Sequence, residues 1–110
     1  MKKAMVAVSS LLMSFQLMAS GSALINGKEV KNQEHLHTLL AKQLNFPSYY
    51  GKNLDSLYEV LSTDYSGKSV IKIKFLNILK NKLGPDYTDA LIQAIMDASE
   101  DNPKVILVLE

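Results

Sequence analysis

The sequence predicts an α/β domain in which three short strands alternate with about four helices. Two observations carry this. Ala23-Leu24-Ile25, Val70-Ile71-Lys72-Ile73-Lys74 and Val105-Ile106-Leu107-Val108-Leu109 are apolar runs of strand length. The segments between them place their leucines at helical spacing. Strands separated by helices make a small parallel sheet with right-handed crossovers. The chain has 110 residues, enough for one domain.

The elements follow in order. Ala23-Leu24-Ile25 ends at Asn26-Gly27, a turn signal. Leu36, Leu39, Leu40 and Leu44 share one face of a helix starting near Gln33. Pro47 pushes Phe46 out of the helical region, so this helix stops at or before it. Asn53 is placed to cap the second helix, and Leu54, Leu57, Tyr58 and Leu61 form its apolar stripe. Val70 to Lys74 alternates, leaving Lys72 and Lys74 on one face. A third helix covers about Phe75 to Leu83 and stops at Gly84-Pro85. A fourth runs from about Asp86 to Asp101, with Tyr87, Leu91, Ala94, Ile95 and Ala98 turned inward. The unbroken apolar run from Val105 suits a strand covered on both faces.

The amino terminus has a different character. Lys2 and Lys3 precede an apolar stretch from Ala4 to Ala19, and small residues follow to Ala23. That is the pattern of a secretory signal over residues 1–22, cleaved between 19 and 23, with the folded domain over 23–110. The apolar part is about 16 residues, short of the ~20 that span a bilayer, so no stable membrane anchor is expected. Losing Lys2 and Lys3 moves the formal charge from +1 to about −1. There is no arginine, the residue on which base readout and phosphate clamping lean, so direct nucleic-acid binding is a poor fit. There is no cysteine, which excludes disulfides and a thiol nucleophile.

Charge is unevenly distributed. Lys68, Lys72, Lys74, Lys80 and Lys82 occupy a stretch without acids, and Asp86, Asp89, Asp97, Glu100 and Asp101 follow it. Acids at the end of the fourth helix oppose its dipole. A solvated polar face explains many such residues, and a cationic partner would explain the misplaced ones. Asp55 and Glu59, four residues apart, lie on one face of the second helix, where like charges weaken an isolated helix. Tyr49 lies on the loop before that helix and is the best exposed aromatic candidate. Tyr50 and Tyr58 are better read as packing residues, Tyr58 being at least half core. An exposed tyrosine beside carboxylates is the makeup of a protein-binding hot spot.

Other chemistries fit poorly. His35 and His37 project about 200° apart on a helix and lack metal-ligand spacing, so no metal and no cofactor is expected. The chain has no Gly-x-Ser-x-Gly elbow and no Gly-rich phosphate loop. Asp55 and Glu59 as an acid/base pair of a hydrolase is the weakest reading, since so small a domain leaves little room for a substrate cleft.

Pro47-Ser48-Tyr49-Tyr50-Gly51-Lys52-Asn53-Leu54-Asp55-Ser56-Leu57-Tyr58-Glu59 resembles the binding segment of the barstar family of ribonuclease inhibitors. The resemblance extends from Ala23 to Glu110: Ala23 to Val30 is similar to the family's first strand and turn, and Glu34 to Leu39 to its first helix, where His37 falls on a family histidine. It implies a barstar-like fold, no enzymatic activity, and a stoichiometric inhibitor that plugs a ribonuclease active site. By position it implies a contact set of Tyr49, Gly51, Asn53, Asp55 and Glu59, joined by Asp97 and Asp101 on the fourth helix. Glu59 stands where the family has an aspartate that mimics phosphate, and Tyr58 where it has a tryptophan. The aromatic after the second helix has Asp64 or Tyr65 as its nearest counterpart.

The implied partner is a basic, barnase-like extracellular ribonuclease, met by an inhibitor that is a monomer beforehand. The alternative is a barstar-like interaction or immunity module whose partner is another toxin or an envelope protein. A cleaved signal implies a periplasmic or secreted location; translation from Met18 would instead give a cytoplasmic protein.

Overall fold

A computed structural model describes residues 21–63 and 67–110. In chain order these form β1 (Gly21–Asn26), α1 (Gln33–Gln43), α2 (Leu54–Thr63), β2 (Ser69–Lys74), α3 (Leu76–Leu83), α4 (Pro85–Asp101) and β3 (Val105–Leu109). The three strands make one parallel sheet in the order β1-β2-β3. The α/β class and the helix count expected from the sequence are both present. The expected signal segment and Asp64 and Tyr65 lie outside the described residues.

Local chemistry sets the boundaries. Asn32 caps α1, its side-chain oxygen accepting the His35 N–H at 2.8 Å. The chain leaves α1 through Asn45 at φ 56°, a left-handed position that asparagine tolerates better than most residues. Pro85 opens α4 in the first turn, where its missing N–H costs nothing. Gly27 leaves β1 against α3: a Cβ there would lie 2.4 Å from the Phe75 carbonyl oxygen and 3.0 Å from the Leu79 nitrogen. Only glycine allows so close an approach of two backbones.

The core lies between the sheet and the helices. Ala23, Ile25, Ile71, Ile73 and Val105 supply the sheet side, and Leu36, Leu40, Leu57, Leu61, Leu79, Leu91 and Ile95 the helix side. A sheet that steps from β1 to β2 to β3 in one direction, with right-handed crossovers, carries every helix on the same face. The other face therefore carries no helix among the described residues. Leu24 is 47% exposed and Ile106 37%. This corrects the expectation that β3 is covered on both faces. An unbroken apolar run cannot by itself distinguish a central strand from an edge strand of a two-layer domain.

His37 ties three parts of this core together. It is 1% exposed, and its two ring nitrogens lie 2.5 Å from the Tyr50 hydroxyl and 2.6 Å from the Tyr87 hydroxyl. The contact joins α1 to the loop before α2 and to the start of α4. A neutral imidazole donates from one nitrogen and accepts at the other, so one tyrosine accepts and the other donates. Protonation would turn both nitrogens into donors. Burial, and secondarily the Lys52 ammonium, hold the His37 pKa below its ordinary 6.5, and burial pushes both tyrosines up. Well above pH 6.5 this histidine is neutral in both the folded and the unfolded chain. As pH falls through 6.5 the unfolded chain takes up the proton first, so stability declines, and the decline ends below the folded pKa. Thermal melts should therefore lose stability from pH 7.5 to 5. An NMR titration that places His37 at or above 6.5 would contradict this.

Candidate partner-binding site

The loop from Pro47 to Asn53 is built to hold one tyrosine in and turn the next one out. Tyr50 is 8% exposed, packs edge-on against Phe46 at 4.8 Å between ring centroids, and donates its N–H to the Pro47 carbonyl at 3.0 Å. Its neighbour Tyr49 is 82% exposed. The difference in exposure expected from the sequence is thus present in the fold. Asn53 caps α2 as expected, its side-chain oxygen accepting the Ser56 N–H at 2.8 Å. Its amide nitrogen donates to the Gly51 carbonyl at 3.3 Å, and the Gly51 N–H donates to Ser56 Oγ at 3.0 Å. A Cβ on Gly51 would lie 2.7 Å from that Oγ, so even an alanine would disturb the cap. Gly51 and Asn53 therefore have a structural use that is complete without a partner.

Beyond the cap, α2 packs along α4 and the two enclose a groove of about 630 Å³. Leu54, Tyr58, Ala90 and Ala94 give it an apolar lining, and Asp55, Glu59, Gln93 and Asp97 a polar one. Three of the expected contact residues, Asp55, Glu59 and Asp97, are brought together here from two helices. All three are exposed. The ion pairs among the described residues are Lys72–Glu110 at 3.4 Å and Lys80–Asp89 at 3.6 Å, neither of them in the groove. Carboxylates gathered without an internal cation leave a negative field over an apolar floor, which favours a cationic partner. Glu59 also lines a hollow of about 410 Å³ beside Tyr49, Ser56, Val60 and Thr63. It thus stands between the groove and the exposed tyrosine.

The remaining site residues are arranged less simply. Asp101, expected among the contacts, accepts the Tyr58 hydroxyl proton in a hydrogen bond between α4 and α2. That bond is the chief cause raising the Tyr58 pKa, with desolvation next. Asp101 is a structural acceptor, which accounts for an acid at a helix end whose dipole disfavours it. Asp97 accepts a hydrogen bond from Gln93 at 2.8 Å and keeps its place in the groove. Tyr58 is half-buried, as its stripe position implies, but its ring also lines the groove. Sequence reasoning missed Gln93 and Ala90, and it turned Ala94 inward where the fold leaves it half-buried in the groove lining. Their spacing along α4 was visible, but nothing in it says that α2 is the neighbour.

Comparison with known proteins agrees with this geometry. A family model described as "Barstar (barnase inhibitor)" matches residues 22–109. A protein of Bacillus subtilis (strain 168) named "Putative ribonuclease inhibitor YrdF" is 33% identical over 78 residues, spanning 71% of this chain and 85% of that relative. With a match over nearly all the described residues, and with the tyrosine loop, the capped acidic helix and the three-stranded parallel sheet in place, this chain belongs to the barstar family.

Proposed function

We propose that this protein is a stoichiometric inhibitor of a basic, barnase-like secreted ribonuclease, and that it blocks the enzyme's active site with α2 and the tyrosine loop before it. The observation that carries this reading is the gathering of Asp55, Glu59 and Asp97, without an internal cation, around an apolar groove next to an 82% exposed tyrosine. A ribonuclease cleft that holds RNA phosphates is cationic, and an acidic face is its electrostatic complement. The name of the Bacillus subtilis relative supports the same class of target. The protein acts by occupying the site and carries out no reaction of its own.

Titrating the purified protein against a panel of microbial ribonucleases tests this. Inhibition of one enzyme should saturate at one equivalent. Its association rate should fall at least about tenfold between about 0.01 and 0.5 M salt, because steering between opposite charges is screened. The family's own inhibitor pair is a standard case of such steering, so the trend is borrowed from it. Failure against every ribonuclease would favour the alternative partner, another toxin or an envelope protein. A rate flat in salt would remove the electrostatic part of the reading.

We also propose that residues 1–19 direct export, so that the inhibitor meets its enzyme in the periplasm or outside the cell. The start of β1 supports an early cut. The Gly21 N–H donates to the Lys68 carbonyl at 2.8 Å and Ala23 is buried, so a cut after Ala23 would remove half of this strand. Mass spectrometry of the native protein should find Ser20 at the amino terminus. An intact Met1, or a start at Met18, would overturn the export reading.

A further inference from the structure

The two edges of the sheet are finished differently. In a parallel ladder alternate residues turn both N–H and C=O toward one neighbour. On β1 the residue turned outward at mid-strand is Leu24. The Gln43 side chain closes it, accepting the Leu24 N–H at 2.7 Å and donating to the Leu24 carbonyl at 3.3 Å. The next outward carbonyl, of Asn26, accepts from Glu29 and Val30. The middle of this edge and the Asn26 carbonyl are thus met by the chain itself.

β3 has no such cover among the described residues. The Ser69 N–H donates to the Lys104 carbonyl at 3.0 Å and the Glu110 N–H to the Ile73 carbonyl at 2.9 Å, so the even-numbered residues face β2. Val105, Leu107 and Leu109 therefore turn their backbone groups outward. The Val105 N–H folds back onto the Asn102 carbonyl at 3.0 Å, while the N–H groups of Leu107 and Leu109 meet no acceptor among the described residues. Leu109 is 48% exposed although it points to the helix side of the sheet, so the helices do not roof the edge at that end. A free, apolar, uncharged edge is a template for another strand.

The sequence of this edge specifies which strand. Lys104-Val105-Ile106-Leu107-Val108-Leu109-Glu110 runs from a cation through five apolar residues to an anion. Paired antiparallel with itself about Leu107, it sets Lys104 opposite Glu110 of the second copy at both ends. Ile106 then meets Val108, and Val105 meets Leu109. The same register puts the outward-turned residues into hydrogen-bonded pairs: Leu107 with Leu107 in both directions, and Leu109 N–H with the Val105 carbonyl twice. An in-register parallel pairing would instead put lysine beside lysine and glutamate beside glutamate, which is unfavourable.

From this match of polarity, register and charge we propose that the protein self-associates through β3 as a two-fold antiparallel dimer, joining two three-stranded sheets into one of six. A contact of one strand pair lies at the small end of protein interfaces, so the dimer is weak and reversible. This departs from the expectation of a monomer before complex formation and leaves the α2–α4 groove free.

Sedimentation velocity on the processed protein, Ser20–Glu110, with the full chain beside it, tests this from about 5 μM to 1 mM. The expected result is a shift from monomer to dimer, with exchange of the Leu107 and Leu109 amides slowing as concentration rises. Ile106→Lys, on the open face, should stay monomeric throughout with an unchanged melting temperature. Lys104→Glu should weaken the dimer about tenfold. A monomer at 1 mM would overturn the proposal. So would a dimer that tolerates Ile106→Lys and leaves Leu107 exchange independent of concentration, since such a dimer uses another surface.

Discussion

Glu59→Ala is expected to weaken inhibition of the target ribonuclease by about 2–5 kcal/mol, a loss of roughly thirtyfold to several thousandfold. That range is the general cost of truncating one partner of a buried, hydrogen-bonded charge pair. The direction rests on this structure. Glu59 is exposed, lies between the groove and the Tyr49 hollow, and makes no ion pair among the described residues. Its backbone carbonyl, not its carboxylate, accepts the Thr63 hydroxyl at 2.6 Å. Removing the side chain should therefore change the melting temperature little while leaving a partner's cation stranded in the interface. Glu29, on the turn after β1, is the control, and Glu29→Ala should change affinity within about 0.5 kcal/mol. Inhibition constants for the two variants, read beside thermal melts, check both statements. If Glu59→Ala unfolds the protein instead, the faces of α2 have been assigned wrongly.

Tyr49→Ala should cost about 2 kcal/mol of affinity or more, near thirtyfold, with stability unchanged. At 82% exposed, Tyr49 contributes almost nothing to the core. Its neighbour gives the contrast. Tyr50 is buried among Phe46 and His37, so Tyr50→Ala should unfold much of the loop and lower the melting temperature sharply. Equal effects of the two variants on stability would contradict the in-and-out arrangement of this loop.

What the sequence makes legible here is local. The spacing of Leu36, Leu40 and Leu44, the stop at Pro47, the cap at Asn53 and the alternation of β2 are short-range signals, and each has its place in the fold. The covering of β3 is a property of topology, and the run Val105 to Leu109 does not encode it. The buried contact of His37 with Tyr87 joins residues 50 apart, and the Tyr58–Asp101 hydrogen bond joins residues 43 apart. No periodicity reports such pairs. Asp97 and Asp101 entered the candidate site through family resemblance, and the fold separates them: Asp97 lies in the groove and Asp101 holds Tyr58. Two acids of equal charge, four residues apart on one helix, thus differ because only one of them faces a tyrosine hydroxyl.

The anchoring of the Pro47–Asn53 loop bears on the entropy of recognition. Its backbone is tied at Tyr50 and Gly51, the Tyr50 ring is anchored through its hydroxyl to His37, and the Asn53 side chain reaches back to Gly51. The conformational freedom of these residues is surrendered when the chain folds, not when a partner arrives. A loop ordered at the moment of binding would subtract about 0.5–1.5 kcal/mol for each side chain it immobilises. A partner meeting Tyr49 on this frame would have one side chain to settle and a backbone already in position.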